Sequence, residues 1–200
     1  MLAANLIKIV EFLFRNIPNK FNVNQISREL KISVGSAYKI LKSLEKKGVL
    51  FSQRVGNGIY YTMNLDNKEA GNITGLVLIE GRNKSLARNS HASVYAKDLK
   101  DTERLSRAII LFGSILDTKD AKDVDALFII DKGKSKAVDD FCMKLSNLRP
   151  KRVNPLLMTM ADFKNNIKKQ DKVIADILRK GVILYGEDVL INTLRGVYDG

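Results

Sequence analysis

The sequence has very little cysteine and histidine, and no long apolar run. A single Cys and a single His exclude a disulfide framework and a zinc site built from several such residues. No apolar run reaches the roughly 20 residues of a membrane span. The apolar stretch 2–14 is interrupted by Lys8 and Glu11 and lacks the ordered regions of a signal peptide. We therefore expect a cytoplasmic protein with no membrane partner.

Acidic residues are fewer than basic ones. The 200 residues contain 34 Lys and Arg against 22 Asp and Glu, which gives a net charge of +12 and a pI near 9.7. Such a balance favours a polyanionic partner, although many solvated surface lysines would give the same composition. Hydrophobic residues make up 45% of the chain, enough for one large core or two small ones.

The first third of the chain shows three helical patterns followed by a hairpin pattern. Apolar residues recur at helical spacing before Pro18 and again over 23–30. Ser33 is a candidate N-cap for a third helix that runs to about Lys47 and ends at Gly48. Two strand-like segments then flank Gly56, Asn57 and Gly58, which predicts a β-hairpin with a tight tip.

This order of elements resembles the winged helix-turn-helix family of DNA-binding domains. The resemblance covers residues 1 to about 65 and is carried by segments 25–33 and 38–50. It implies that the third helix enters the major groove of double-stranded DNA and that the hairpin, or wing, reaches the backbone or minor groove. The alternative is a winged helix used for protein contacts or dimerisation.

The candidate DNA-binding residues lie on the third helix and the hairpin. Residues 1–66 carry ten basic and four acidic side chains, a net charge of +6, whereas the other 134 residues share the remaining +6. This twofold higher charge density favours DNA binding, and a homodimer that reads paired half-sites is a further partner prediction. The candidates are Ser33, Ser36, Tyr38, Lys39, Lys42, Arg54 and Asn57.

The remainder of the chain divides into a helical connector and an α/β pattern. No strand is predicted between Asp66 and Asp101, and residues 67–97 form the connector. Alternating patterns over 98–200 then predict a small sheet with packed helices. The predicted strands are 108–112, 124–130, 153–158 and 182–184. The predicted helices are 97–107, 135–148, 160–166, 172–180 and 188–197.

Two short motifs in this second region favour a nucleotide and metal site. The apolar run 109–112 ends in Gly113 and Ser114, and Asp123-Val124-Asp125 opens the next apolar run. On a strand both aspartates point the same way, and a hard cation such as Mg²⁺ would relieve their repulsion. Gly113 lets backbone approach a phosphate, and Ser114 places a hydroxyl at a predicted strand-to-helix turn. The alternative is a Gly-Ser turn followed by a solvated acidic loop.

The two motifs resemble the nucleotidyltransferase superfamily that includes DNA polymerase beta, and most closely its minimal archaeal and bacterial members. The resemblance covers roughly residues 100–190. It implies that Ser114 contacts the triphosphate and that Asp123 and Asp125 are catalytic and bind two metal ions. Gly113 and Lys122 complete the candidate nucleotide-binding residues, and Lys122 could meet a phosphate.

The resemblance also implies a third carboxylate on the neighbouring strand. The matching strand is 152–158, and the position is held by Asn154 or a residue close to it, unless the alignment is shifted by a few residues. An amide can be a weak metal ligand but cannot take a proton, and loss of a catalytic base costs about 10²–10⁴-fold in rate. Whether the chain is an active enzyme therefore stays open.

The fold class predicted is α+β with two domains. A winged helix over 1–66 is followed, after the connector, by a nucleotidyltransferase-type domain over 98–200 with a small mixed sheet. The first functional hypothesis is a DNA-binding protein that binds a magnesium-nucleoside triphosphate and transfers a nucleotidyl group to nucleic acid or protein. The second is a transcriptional regulator whose degenerate transferase domain senses nucleotide or dimerises. A third is the antidote of a toxin pair.

Overall fold

Residues 3–198, which the computed structural model describes, form nine α-helices and seven β-strands. The helices are α1 Ala4–Arg15, α2 Val23–Leu30, α3 Val34–Lys46, α4 Lys68–Arg88, α5 Ser90–Lys100, α6 Ser135–Leu148, α7 Met160–Lys168, α8 Lys172–Lys180 and α9 Glu187–Tyr198. The strands are β1 Phe21–Asn22, β2 Leu50–Val55, β3 Gly58–Met63, β4 Ser106–Phe112, β5 Asp123–Ile130, β6 Arg152–Thr159 and β7 Val182–Tyr185. The α+β class is confirmed.

Capping groups set the ends of the second and third helices. Asn22 accepts a hydrogen bond from the Gln25 N–H at 2.9 Å, and Ser33 Oγ accepts one from the Ser36 N–H at 3.2 Å. Each bond satisfies a donor that has no partner inside its own helix. Gly48, with a φ of 70°, follows α3 in the left-handed region that glycine tolerates. The predicted cap at Ser33 and the predicted end of α3 are confirmed.

The first sheet has three antiparallel strands in the order β1-β3-β2. Its hairpin turns through Gly56 and Asn57, and the φ of 58° at Gly56 is the conformation that glycine supplies at the first position of a type II′ turn. Tyr61 and Met63 on β3 are buried against the helices. The predicted hairpin is confirmed, and β1 was not predicted.

The second sheet has four strands in the order β6-β5-β4-β7. Strand β4 runs antiparallel to both of its neighbours, whereas β5 and β6 are parallel. The central strand β5 is buried from residue 126 to residue 130, as expected for a strand with elements on both faces. All four strands predicted for this region are present, with ends that differ by one or two residues.

The helix predicted over 97–107 is wrong at its C-terminal end. Helix α5 stops at Lys100, a 3₁₀ turn spans Asp101–Arg104, and Ser106 already pairs with Ile130 in the sheet. The Ser106 hydroxyl donates to the Thr102 carbonyl at 3.2 Å, which ties the turn to the start of β4. The chain between β3 and β4 contains α4, α5 and this turn, so the predicted absence of a strand there is confirmed for the described residues.

Contacts within the chain group the described residues into two compact units. Unit 1 comprises 3–78 with 194–198, and unit 2 comprises 79–193. The core of unit 2 packs β4, β5 and β6 against α5 and α6 through side chains such as Leu111, Phe128 and Val153. The domain bounds given above stay predictions. No helix within 3–198 combines the length and apolarity needed to cross a bilayer.

Candidate functional site

Strand β5 presents two carboxylates on one face of the sheet in unit 2. Asp123 and Asp125 are each partly exposed, whereas Val124 between them is fully buried on the opposite face. This alternation follows from strand geometry, in which successive side chains point to opposite faces. The two aspartates therefore share a face at the start of the strand.

A third polar side chain reaches this pair from the parallel neighbour strand. The register of β5 and β6 places Asn154 directly beside Asp125. The Asn154 amide donates to Asp123 Oδ2 at 2.9 Å and approaches Asp125 Oδ1 at 3.4 Å. One neutral NH₂ group thus lies between two carboxylates, at the position where the resemblance implies a third carboxylate.

Gly113 packs against the same carboxylate pair. It follows β4, whose last residue Phe112 pairs with Asp125, and its φ is 80°. A Cβ at this position would collide with Asp125 Oδ2, far inside van der Waals contact. Two features therefore favour glycine at this position: the left-handed backbone and the closeness of the Asp125 carboxylate, which leaves no room for a Cβ.

Ser114 and Lys122, the other predicted nucleotide-binding residues, lie at the surface. Ser114 opens a 3₁₀ helix of three residues directly after β4, so the helix at the predicted strand-to-helix turn is a single 3₁₀ turn. Its carbonyl accepts the N–H groups of Asp117 and Thr118, which are the hydrogen bonds of a single helical turn. Lys122 is exposed. Within residues 3–195 neither side chain makes a hydrogen bond or ion pair with the aspartates.

The environment of Asp125 disfavours its charged form. Burial raises the pKa of Asp125, the hydrogen bond from Asn154 lowers it, and the charge of Asp123 raises it, with a net upward shift from the ordinary value of 3.8. A divalent cation between the carboxylates would pull the pKa in the opposite direction. The Asn154 amide therefore offsets only part of the effect of burial and of Asp123 on the pKa of Asp125.

The donor set does not fit the two-ion centre that the resemblance implies. No group of three or more His, Cys, Asp or Glu residues in the described part of the chain could hold a metal ion. Asp131 pairs with Arg107 at 2.6 Å, and Asp162 accepts the Thr159 hydroxyl at 2.6 Å as part of the α7 cap. Two carboxylates are one fewer than the resemblance implies for two hard cations, and Asn154 presents its NH₂ group to them and not its oxygen.

A second candidate surface lies in unit 1, on α3 and the β2–β3 hairpin. Tyr38 is 49% exposed and Lys39 is exposed on α3, while Arg54 and Asn57 are exposed at the end of the hairpin. Within the described side chains none of these four has an acidic partner. They are free to contact a ligand such as a nucleic-acid backbone.

Two other predicted DNA-binding residues have structural roles at the start of α3. The Ser33 hydroxyl caps the helix. Ser36 Oγ accepts a hydrogen bond from the Asn5 side chain at 3.1 Å, which links α3 to α1. Both hydroxyl oxygens accept a hydrogen bond that positions α3. A contact with DNA would therefore use the O–H donor or the remaining lone pair of each hydroxyl.

The predicted cation at Lys42 is already paired. Its Nζ lies 2.7 Å from Glu45 Oε2, one turn further along α3. That hydrogen bond raises the pKa of Lys42, and the bonds from Lys42 and Ser52 lower the pKa of Glu45. Glu45 was not singled out from the sequence, although a spacing of three residues on a helix indicates such a pair.

The chain matches no protein-family model, no curated protein and no solved structure. The resemblances to the winged helix-turn-helix and nucleotidyltransferase families therefore stay predictions. They rest on the motifs of the sequence and on the local geometry of the two surfaces, namely the exposed side of α3 with its hairpin and the acidic pair beside Asn154.

Proposed function

We propose that this protein is a DNA-binding regulator with a nucleotidyltransferase-like unit that does not transfer nucleotides. Unit 1 serves as a winged helix-turn-helix that binds double-stranded DNA. The observation that carries the proposal is the Asn154 amide, which lies beside Asp123 and Asp125 where transfer chemistry would need a third carboxylate.

The DNA-binding half is supported by the exposed surface of α3 and the hairpin. Tyr38 and Lys39 on α3 and Arg54 on the hairpin are exposed and unpaired within the described side chains. The acid on the same helix, Glu45, is held by Lys42 and Ser52. This leaves a basic surface, and a surface of this kind binds phosphates and fixes the register of a helix in the major groove.

The second part of the proposal, that unit 2 does not transfer nucleotides, is supported by the chemistry that proton transfer and metal binding require. Two-metal transfer needs carboxylates to hold the ions and a base to take a proton from the attacking hydroxyl. Asn154 supplies no base, because an amide does not take up a proton, and its NH₂ group, not its oxygen, faces the two aspartates. Unit 2 then serves nucleotide sensing or dimerisation. Binding of a magnesium-nucleoside triphosphate stays a prediction that the donor set does not favour.

DNA binding is tested with labelled duplexes of random sequence and the full chain, by fluorescence anisotropy at several salt concentrations. Lys39→Ala should weaken binding to all sequences and reduce the slope of log K against log salt by about 1. The matched control is Lys8→Ala, which removes the same charge from the exposed side of α1 and should leave the slope unchanged. Equal slopes for Lys39→Ala and wild type would reject the α3 surface.

Transfer is tested separately, with each labelled nucleoside triphosphate, Mg²⁺ or Mn²⁺, and DNA, RNA or protein acceptors. We expect no covalent incorporation by the wild-type chain above the background of an Asp123→Asn, Asp125→Asn double variant. Metal-dependent incorporation that the double variant loses would show an active transferase and overturn this half of the proposal, whatever the result of the DNA titrations.

A further inference from the structure

Two neighbouring carboxylates on a folded protein need a compensating group. Asp123 and Asp125 share a face of β5, and like charges at such a spacing repel each other. A cation between them is one solution. Hydrogen-bond donors aimed at the oxygens are another, because a bond to a charged acceptor is among the stronger ones in proteins.

We propose that the Asn154 amide takes the place of a divalent cation between Asp123 and Asp125, so that the pair binds no divalent cation while Asn154 is present. This inference rests on the proposed function, in which unit 2 does not transfer nucleotides. It adds a physical reason why the two aspartates do not bind the metal ions that transfer needs. The amide does not merely fail as a ligand or base. It holds the carboxylate oxygens that a metal ion would need.

Two of the four carboxylate oxygens accept or closely approach the same amide nitrogen. Asp123 Oδ2 accepts the Asn154 amide at 2.9 Å, and Asp125 Oδ1 lies 3.4 Å from the same nitrogen. Asp125 Oδ2 faces Gly113 so closely that the Cβ of any other residue there would collide with it. A hard cation that bridged the two carboxylates would compete with the amide for Asp123 Oδ2 and Asp125 Oδ1, although water can supply its other ligands.

The charges next to the pair also oppose a cation. Lys122 precedes Asp123 and is exposed. Arg152 is the register partner of Asp123 on β6, two residues before Asn154 and so on the same face of the sheet. Both basic groups lower the electrostatic attraction that two carboxylates offer to a divalent ion.

The inference predicts a gain of metal binding on a single substitution. Asn154→Asp replaces the NH₂ donor by a third carboxylate at the same register position, which turns the group into three acidic oxygen donors on one face. We expect its affinity for Mn²⁺ to exceed that of the wild type by at least about tenfold, since ligand charge count sets the affinity of such sites. Mn²⁺ serves as the probe because its free form has a sharp electron paramagnetic resonance signal.

The experiment titrates Mn²⁺ into the full chain and follows the free-ion signal. The wild type should remove no more Mn²⁺ than the Asp123→Asn variant does, whereas Asn154→Asp should bind one tight equivalent. Asn147→Asp is the matched control, since it adds the same charge to an exposed position on α6 and should bind as the wild type does. Asn154→Asp combined with Asp123→Asn should lose the gain.

Thermal unfolding gives a readout that does not depend on transfer activity. In a chelator, Asn154→Asp should melt below the wild type, because three carboxylates then repel each other, and Mn²⁺ should restore much of the difference. Mn²⁺ should leave the melting temperature of the wild type unchanged. The wild-type titration does not use Asn154→Asp, and tight Mn²⁺ binding by the wild type would contradict the proposal, so the proposal stays testable even if Asn154→Asp is unstable.

Two results would overturn the inference and leave the proposed function standing. One is tight Mn²⁺ binding by the wild type that Asp123→Asn abolishes, without any nucleotide transfer. The other is a folded Asn154→Asp variant with no gain over Asn147→Asp. Nucleotide transfer by the wild type, in contrast, would overturn the proposed function itself.

Discussion

At the scale of single residues, the charge on Asp125 costs the folded state stability. Its pKa is raised by burial and by Asp123, against the effect of the Asn154 hydrogen bond. A raised carboxyl pKa means that the folded chain binds a proton more readily than the unfolded chain. The cost is therefore full above the raised folded pKa, shrinks as pH falls through it, and is gone below the ordinary value of 3.8.

Asp125→Asn should raise the melting temperature at pH 7 by about 1–2 °C, since it removes this charge and keeps an oxygen for the Asn154 amide. The advantage should shrink as pH is lowered from 7 toward 4, because the wild-type carboxyl then takes up a proton. Differential scanning calorimetry of both chains at matched ionic strength measures the difference. An advantage that grows on acidification would contradict this reading of Asp125.

Asp162 provides a control, because its pKa is shifted in the opposite direction from that of Asp125. Bonds from the Thr159 hydroxyl and N–H lower the pKa of Asp162, so its charge favours the folded state above the ordinary value of 3.8, and that contribution is lost as pH falls through the lowered folded pKa. Asp162→Asn should lower the melting temperature at pH 7. The two substitutions remove the same charge from unit 2, so opposite shifts cannot come from net charge.

The spacing of residues along the sequence could predict which of these side chains share a face of the sheet, but not the contacts that they make. Alternation on a strand was enough to place Asp123 and Asp125 on one face, and strand matching pointed to Asn154 as their neighbour. The direction of the amide hydrogen bonds and the contact of Gly113 with Asp125 depend on tertiary packing. The sequence of a single strand does not predict such contacts, because they join residues that are far apart in the chain.

At the scale of elements, the Ser33 cap shows how one residue carries both structure and predicted function. Ser33→Ala removes the acceptor for the Ser36 N–H, and loss of an N-cap hydroxyl costs about 1 kcal/mol of folding stability. Urea unfolding followed by circular dichroism measures this loss. Ser33→Asn keeps a capping oxygen and should unfold close to the wild type. Equal stability of the Ala and wild-type chains would reject the cap as a source of stability.

Elements with strong local signals were predicted well, and elements set by their neighbours were not. Helix α3 has a cap, an apolar stripe and a terminal Gly48, and its predicted and observed bounds agree within a residue. Strand β1 has two residues and exists because Phe21 pairs with Tyr61. Ser106 and Arg107 continue a polar helical pattern, but Ser106 pairs with Ile130 of β5, and Arg107 lies in the strand at the register shift that follows.

At the scale of the whole molecule, the question is which part of the +12 net charge meets DNA. Unit 2 carries its own exposed lysines on α7 and α8, including Lys164, Lys168 and Lys172, and the nearby acids Asp162 and Asp171 are occupied as helix caps. A basic composition alone therefore does not locate the binding surface. The proposed function assigns the phosphate contacts to α3 and the hairpin.

Two triple variants with equal charge separate these surfaces. Lys39 and Lys46 on α3 and Arg54 on the hairpin are all exposed. Replacing these three residues of unit 1 by Gln should lower the slope of log K against log salt by about 2.7, since each phosphate contact contributes about 0.9. Replacing Lys164, Lys168 and Lys172 of unit 2 by Gln removes the same three charges. It should slow association through the weaker long-range field, which salt screens, and leave the equilibrium slope nearly unchanged. Equal losses of slope from both variants would mean that DNA also contacts unit 2, and that charge density along the chain is a poor guide to the binding surface.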